Sequence, residues 1–99
     1  MIKPIYEYAV LEKQTLNTQL VYYLMSCYLY YEMDSNIFTD TEFNSLCMLL
    51  YKDFDKITHP HKSLVDKELL SASTGYTIQY PTIVKIATND WYSRYLGLR

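Results

Sequence analysis

The sequence predicts a mainly α-helical fold, a small domain built on a long helix hairpin. Two long segments carry apolar side chains every three to four residues, which is the spacing of one helix face. A helix-start signal lies between them, and the chain of 99 residues contains only two glycines. With 49% hydrophobic and 20% charged residues, the composition is that of a folded protein. We therefore expect one domain over residues 1–99, because this length suits a single core.

The first helix of the hairpin is predicted over residues 11–33, where Asp34, Ser35 and Asn36 end it. Its core stripe comprises Leu16, Leu20, Tyr23, Leu24, Cys27, Tyr30 and Tyr31. The second half is apolar on its other sides as well, which is typical of a helix buried on several sides. Tyrosine is favoured at interfaces, so we expect this second surface to contact a protein partner or a second copy of the chain. Its residues are Tyr22, Met25, Tyr28 and Leu29.

The second helix is predicted to begin after Thr39, because Thr39 and Glu42 have the spacing of a capping box. We expect it to end before His59, since the residue that precedes a proline disfavours helical geometry. Its apolar face comprises Phe43, Leu46, Cys47, Leu50, Phe54 and Ile57.

The remainder of the chain carries weaker signals. Ser63 and Asp66 predict the start of a shorter helix that reaches about residue 70. A turn follows over residues 71–75, with Gly75 in the left-handed conformation, and then an irregular or short extended segment near 76–82. From Pro81 onward the spacing favours a helix, although the β-branched residues there leave a strand as the alternative.

Composition excludes several classes of function. Two glycines are too few for a glycine-rich phosphate loop. The net charge is −2 and the nine Lys and Arg residues are scattered, so we expect no direct binding of nucleic acid. No signal peptide or apolar run long enough to span a bilayer occurs, and the two cysteines lie in apolar helical patterns. We therefore expect a cytoplasmic protein with reduced thiols and no membrane association.

Catalytic and metal-binding patterns are missing from the sequence. No nucleophile–base motif or zinc-binding motif occurs, and His59 and His61 flank Pro60 in a predicted loop, where the two rings rarely share a metal. We expect neither an enzyme nor a metal protein.

One cluster of residues has the character of a ligand site. Asp40, Phe43 and Asn44 share a face of the first turn of the second helix, and Tyr30 and Tyr31 end the first helix. Helices joined by so short a loop pack as neighbours, so the five side chains converge at one end of the hairpin. Aromatic faces, a carboxylate, an amide and the helix amides could together bind a nucleotide. The alternative is that the aromatic residues are core and the polar residues merely belong to a helix start.

The same region resembles the N-terminal helical domain, domain Ia, of bacterial NAD-dependent DNA ligases. Residues 28–34 are YLYYEMD and residues 38–46 are FTDTEFNSL. The family pattern Y-x-Y-H-x-x-D-x-P-x-I-x-D-x-E-Y-D-x-L aligns with residues 28–46 without a gap. The resemblance implies a helical module that holds the nicotinamide mononucleotide half of NAD. Carried over by position, it assigns binding to Tyr30, Tyr31, Asp40, Phe43 and Asn44.

Three of these five positions depart from the family pattern. Tyr31 stands where the family has histidine, Phe43 where it has tyrosine, and Asn44 where it has aspartate. The lost hydrogen bonds would together weaken NAD binding by about a hundredfold or more. The adenylation motif K-x-D-G is also missing, so we expect no ligase activity.

A second resemblance, over residues 22–87, is to small stand-alone ligase-related proteins of tailed phages. These proteins share H-P-H-K, here residues 59–62, T-G-Y, here 74–76, and Y-P, here 80–81. It implies a phage-borne protein located in the host cytoplasm.

Two hypotheses of function follow. The first is a non-catalytic interaction protein with a ligase-like helical frame that binds a protein partner or forms a homodimer. The alternative is a module that binds nicotinamide mononucleotide or NAD and acts with or against an NAD-dependent DNA ligase. The altered ligand positions favour the first at this stage.

Overall fold

The computed structural model describes residues 4–72 and 78–98. Within these ranges the fold is all-α, as the sequence predicts, and contains five α-helices and no strand. The helices are α1 (Tyr8–Leu11), α2 (Leu16–Met33), α3 (Asp40–Lys52), α4 (Lys67–Ser71) and α5 (Thr82–Gly97), with 3-10 helices at Phe54–Lys56 and Pro60–Leu64. The Cα radius of gyration is 12.4 Å, the value of a compact domain of this length.

The central element of the fold is α2. Both α5 and α3 pack against α2, and α4 packs against α3. The buried side chains of α2 are Gln19, Leu20, Tyr22, Tyr23, Leu24, Met25, Cys27 and Leu29. A helix covered by two neighbours needs apolar residues around most of its circumference, which explains the apolar second half.

The surface predicted to contact a partner is largely part of the core instead. Three of its four residues are buried within the chain: Tyr22, Met25 and Leu29. The Trp91 ring of α5 lies edge-on to Tyr22, with ring centroids 5.3 Å apart. The fourth residue, Tyr28, is half-buried and packs edge-on against Tyr80 at 5.2 Å. The prediction of a free interface here is therefore wrong, because the chain buries these side chains itself, with Trp91 of α5 against Tyr22 and Tyr80 against Tyr28.

The N-terminal segment joins α2 to α5 through buried hydrogen bonds. The Ile5 backbone N–H donates to the Tyr22 hydroxyl at 2.9 Å. The Trp91 Nε1–H donates to the Ile5 carbonyl at 2.8 Å. The polar atoms of both aromatic side chains are thus satisfied inside the core, as burial requires.

The first long helix begins later than the sequence predicts. Instead of one helix from residue 11, α1 ends at Leu11 and α2 begins at Leu16. Thr15 caps α2, since its Oγ1 accepts from the Thr18 N–H at 3.2 Å. The buried Gln19 amide donates to three carbonyls of the intervening turn, those of Leu11, Glu12 and Gln14, at 3.2 to 3.3 Å. These side-chain bonds stabilise the break between the helices.

The predicted start of α3 is confirmed. The Glu42 N–H donates to Thr39 Oγ1 at 3.2 Å, and the Thr39 N–H donates to Glu42 Oε1 at 2.8 Å, which completes the capping box. The helix ends at Lys52, earlier than the spacing predicts. A 3-10 helix over Phe54–Lys56 follows, and Ile57 is still buried although it is no longer helical.

The shorter predicted helix is present as α4. It begins at Lys67 with Asp66 as its cap, because Asp66 Oδ1 accepts from the Glu68 N–H at 2.9 Å. Ser63, the other predicted start residue, lies in the 3-10 helix Pro60–Leu64. The predicted turn at Gly75 lies outside the described residues.

The helix predicted from Pro81 is confirmed as α5, with Pro81 at its N-cap. Residues 78–81 are non-helical, in agreement with the predicted irregular segment. The buried side of α5 differs slightly from the predicted one. Ile83 is 66% exposed, whereas Thr88 is fully buried and its hydroxyl donates to the Val84 carbonyl at 2.7 Å.

Both cysteines are buried and unpaired, as predicted. Burial raises the pKa of the Cys47 thiol to about 12 and also raises the pKa of Cys27. Protonated thiols at neutral pH are poor nucleophiles, so these residues serve packing. None of the helices described above has the length and hydropathy needed to cross a bilayer.

Candidate functional site

A cavity of about 320 Å³ lies at the end of the α2–α3 hairpin. All five residues of the predicted cluster line it. The complete lining is Ser26, Tyr30, Tyr31, Asn36, Ile37, Phe38, Asp40, Phe43 and Asn44. This volume is near the lower end of the range of small-molecule sites, roughly 300 to 1,000 Å³.

The last turn of α2 supplies two tyrosines at the mouth of the cavity. The rings of Tyr30 and Tyr31 lie edge-to-face with centroids 4.8 Å apart, and Tyr30 is 54% exposed. Both residues are also predicted to be core, which is wrong, because both side chains are exposed. The chain leaves α2 through Asp34, whose φ of 52° is left-handed. The Ser35 N–H then donates to the Leu29 carbonyl at 3.1 Å and fixes the reversal.

The first turn of α3 supplies the opposite wall. Asp40 is its first residue, and Phe43 and Asn44 follow on the same face. The Phe43 ring stacks on the buried Tyr23 ring, with centroids 5.7 Å apart and an interplanar angle of 17°. The core therefore holds one aromatic wall of the cavity in place, while Asp40 and Asn44 are exposed at its rim.

Four lining residues were missed from the sequence, and three of them lie in or near the loop. Phe38 is buried and packs against Trp91, with centroids 5.8 Å apart. The Asn36 Nδ2 donates to the Phe38 carbonyl at 2.9 Å, and Ile37 lies between them. A loop path depends on tertiary packing, so helical spacing contained no signal for these three residues.

The fourth missed residue is Ser26, and its hydroxyl is unusual. The Ser26 Oγ is buried, and no described residue offers it a hydrogen bond. A signal was present, because Ser26 interrupts an apolar run four residues before Tyr30 and therefore shares its helix face. A buried hydroxyl without a partner costs about 1–3 kcal/mol. Ser26 thus lines the cavity, and its unmet hydroxyl is buried beneath the cavity surface.

The histidine pair lies on another part of the chain. The His59 and His61 rings are 5.0 Å apart, and the His61 N–H donates to His59 Nδ1 at 3.0 Å. Burial, with a smaller contribution from His61, lowers the pKa of His59. Among the described residues, no group of three His, Cys, Asp or Glu side chains could hold a metal ion.

Comparison with protein-family models, with curated proteins and with solved structures finds no match for this chain.

Proposed function

We propose that this chain is a binding module for a small aromatic ligand that carries a ribose, of the nicotinamide nucleoside or nucleotide class. The observation that supports the proposal is the convergence of Tyr30, Tyr31, Asp40, Phe43 and Asn44 on one cavity. The same five positions are those that the resemblance of residues 28–46 assigns to binding. The short loop brings the two helix ends together in any case, so the support lies in the ligand-binding chemistry of the five side chains.

The chemistry of the lining suits such a ligand. Tyr30, Tyr31 and Phe43 offer aromatic faces for stacking on a planar ring. Asp40 can accept hydrogen bonds from ribose hydroxyls, and Asn44 can both donate and accept. The Ser26 hydroxyl, which has no hydrogen-bond partner among the described residues, can bond to the carboxamide of the ligand after the side chain changes to another χ1 rotamer.

The size of the cavity favours one nucleoside unit over a whole dinucleotide. At about 320 Å³, it fits the nicotinamide half of NAD, and the remainder of NAD would extend into solvent. On the resemblance of residues 28–46, such a module would act with or against an NAD-dependent DNA ligase. That role would need no catalytic group in this chain.

Calorimetric titration tests the proposal. We expect saturable heat from at least one of nicotinamide riboside, nicotinamide mononucleotide and NAD at millimolar ligand. The variant Asn44→Ala should weaken binding by roughly fivefold or more, the equivalent of one lost hydrogen bond. The neighbouring Ser45→Ala, outside the cavity, is the matched control and should bind as the unaltered chain does. Absence of heat with all three ligands would contradict the proposal.

A second role as an interaction protein is favoured by a different surface from the one first predicted. Ile83 and Ile86 on α5 are 66% and 64% exposed and lie one helical turn apart. A protein partner or second copy could cover them. Sedimentation velocity over a range of concentrations tests self-association, with Ile83→Lys as the disrupting variant and Lys85→Ala, between the two isoleucines, as the control. A monomer at every concentration would eliminate the homodimer.

A further inference from the structure

We propose that the cavity selects a positively charged aromatic ligand without a phosphate, so that a pyridinium nucleoside binds more tightly than its phosphorylated form. This inference rests on the proposed function and adds the charge of the preferred ligand. It follows from the distribution of charge over the elements that build the cavity, which the resemblance does not address.

The end of the hairpin that forms the cavity carries no basic residue, and Lys52 lies at the other end of α3. Between Lys13 and Lys52 the sequence contains no Lys, Arg or His. The same stretch contains four carboxylates, which are Glu32, Asp34, Asp40 and Glu42. Among the nine described lining residues, Asp40 is the one with a charge. A ligand phosphate would therefore meet no cationic side chain from the last turn of α2, from the first turn of α3 or from the loop that joins them.

The start of α3 would otherwise be the natural place for a phosphate, because free amides at a helix N-terminus attract anions. Here the capping box already occupies two of the backbone amides at that position. The Thr39 N–H is bonded to Glu42 Oε1 at 2.8 Å and the Glu42 N–H is bonded to Thr39 Oγ1 at 3.2 Å. The carboxylates of Asp40 and Glu42 both lie in this first turn. The positive end of the helix is thus offset by the chain's own anions, and a phosphate there would meet like charge.

The aromatic walls favour a cation for a separate reason. The faces of aromatic rings carry negative potential, so a cationic ring stacked on them gains attraction beyond its buried area. Tyr30, Tyr31 and Phe43 supply such rings, and Phe43 is held by its stack on Tyr23. A pyridinium nucleoside combines a positive ring with neutral ribose hydroxyls. Its 5′-phosphate adds negative charge and no favourable contact with this lining.

A ligand series measured by calorimetry separates this inference from the proposed function. The affinity for nicotinamide riboside should exceed that for nicotinamide mononucleotide by about tenfold or more. The reason is that the phosphate of the mononucleotide would lie close to the carboxylates of the hairpin, which carry the same sign of charge. Nicotinamide riboside should also bind roughly threefold or more tightly than its reduced dihydro form, which has nearly the same shape and an uncharged ring. If the mononucleotide binds as tightly as the riboside, or more tightly, the inference is overturned and the proposed function stands. If no member of the series binds, both fail.

The variant Asp40→Asn tests the source of the selectivity. It keeps the side-chain shape and removes the one charge of the lining. We expect about a tenfold loss of affinity for nicotinamide riboside and a much smaller loss for the dihydro form. Asp55→Asn, an exposed carboxylate in the 3-10 helix after α3, makes the same change in net charge outside the cavity and should alter neither affinity. Equal losses for both ligands with Asp40→Asn would overturn the assignment of selectivity to charge.

Discussion

The two ends of α2 contain the same kinds of residue and differ in whether those residues complete the core or line a cavity. Near its N-terminal end, the buried Tyr22 hydroxyl accepts from Ile5, and the Trp91 indole donates to the same residue. Toward its C-terminal end, the Ser26 hydroxyl has no bond from any described residue and Tyr30 is 54% exposed. We call these the closed end and the open end. Tyrosine at the closed end completes a core, whereas at the open end it borders a cavity.

This difference shows why composition alone misleads about the tyrosines of this chain. A buried polar atom that is hydrogen-bonded inside the protein is compatible with a stable core. A buried polar atom without a partner lowers the free energy of unfolding. Two buried polar atoms of α2 lack a partner among the described residues, Gln19 Oε1 and Ser26 Oγ, and of these two residues Ser26 is the one that lines the cavity.

The largest effect is expected from Trp91→Ala at the closed end. Its ring contacts those of Tyr6, Tyr22 and Phe38, and its indole N–H bonds to Ile5. Loss of so large a core side chain should lower the free energy of unfolding by about 3–5 kcal/mol, measured by urea denaturation. A loss below about 1 kcal/mol would show that α5 is not the cover of α2.

A matched pair of tyrosine variants compares the ends directly. Tyr22→Phe leaves the Ile5 N–H without its partner in the core and should lower the free energy of unfolding by about 1–3 kcal/mol. Tyr30→Phe removes an exposed hydroxyl at the open end and should change it by less than about 0.5 kcal/mol. Equal effects from the two substitutions, in the same denaturation assay, would remove the distinction between the ends.

Much of the fold could be predicted from local signals. The capping box of Thr39 and Glu42 determines where α3 begins, and Pro81 marks the start of α5. Such signals act within one turn of a helix, so they need no knowledge of the rest of the chain. The cluster around Asp40 was predictable for the same reason, because two helices joined by a short loop must bring those turns together.

Features that depend on distant contacts could not be predicted. The covering of Tyr22 by Trp91 joins residues far apart in the chain, and nothing near Tyr22 indicates it. The break before Leu16 depends on Gln19, whose amide bonds to carbonyls that only the folded turn presents. Phe38 lines the cavity because of the path of the loop, and the spacing of residues in the sequence does not predict that path.

A smaller effect, opposite in sign, is expected from Ser26→Ala at the open end. Removing a buried hydroxyl that lacks a partner should raise the free energy of unfolding by about 1 kcal/mol. Affinity for the nicotinamide riboside should fall at the same time, since the ligand loses a hydrogen bond. Ser45→Ala on α3 is the control, because the Ser45 hydroxyl is exposed and bonds to Thr41. If the variant is more stable and binds with unchanged affinity, the Ser26 hydroxyl is a packing defect and does not contact the ligand.

The smallest effect concerns the turn that shapes the open end. Asp34 holds a left-handed φ of 52°, which glycine adopts without steric cost. Asp34→Gly should therefore raise the free energy of unfolding by about 0.5–1 kcal/mol and leave ligand affinity unchanged. Asp53→Gly, at the C-cap of α3 with a φ of −115°, is the comparison and should not stabilise the chain. Destabilisation by Asp34→Gly in a thermal melt would show that its side chain has a further role.

The most direct test of the binding cavity is a ¹H–¹⁵N correlation spectrum of the full chain titrated with nicotinamide riboside. We predict progressive, saturable shifts of the backbone amides of Asn36, Asp40, Phe43 and Asn44 at the open end. The Tyr22 amide at the closed end should stay in place. A spectrum that does not change up to millimolar ligand, or shifts confined to the closed end, would contradict a binding site in the α2–α3 cavity.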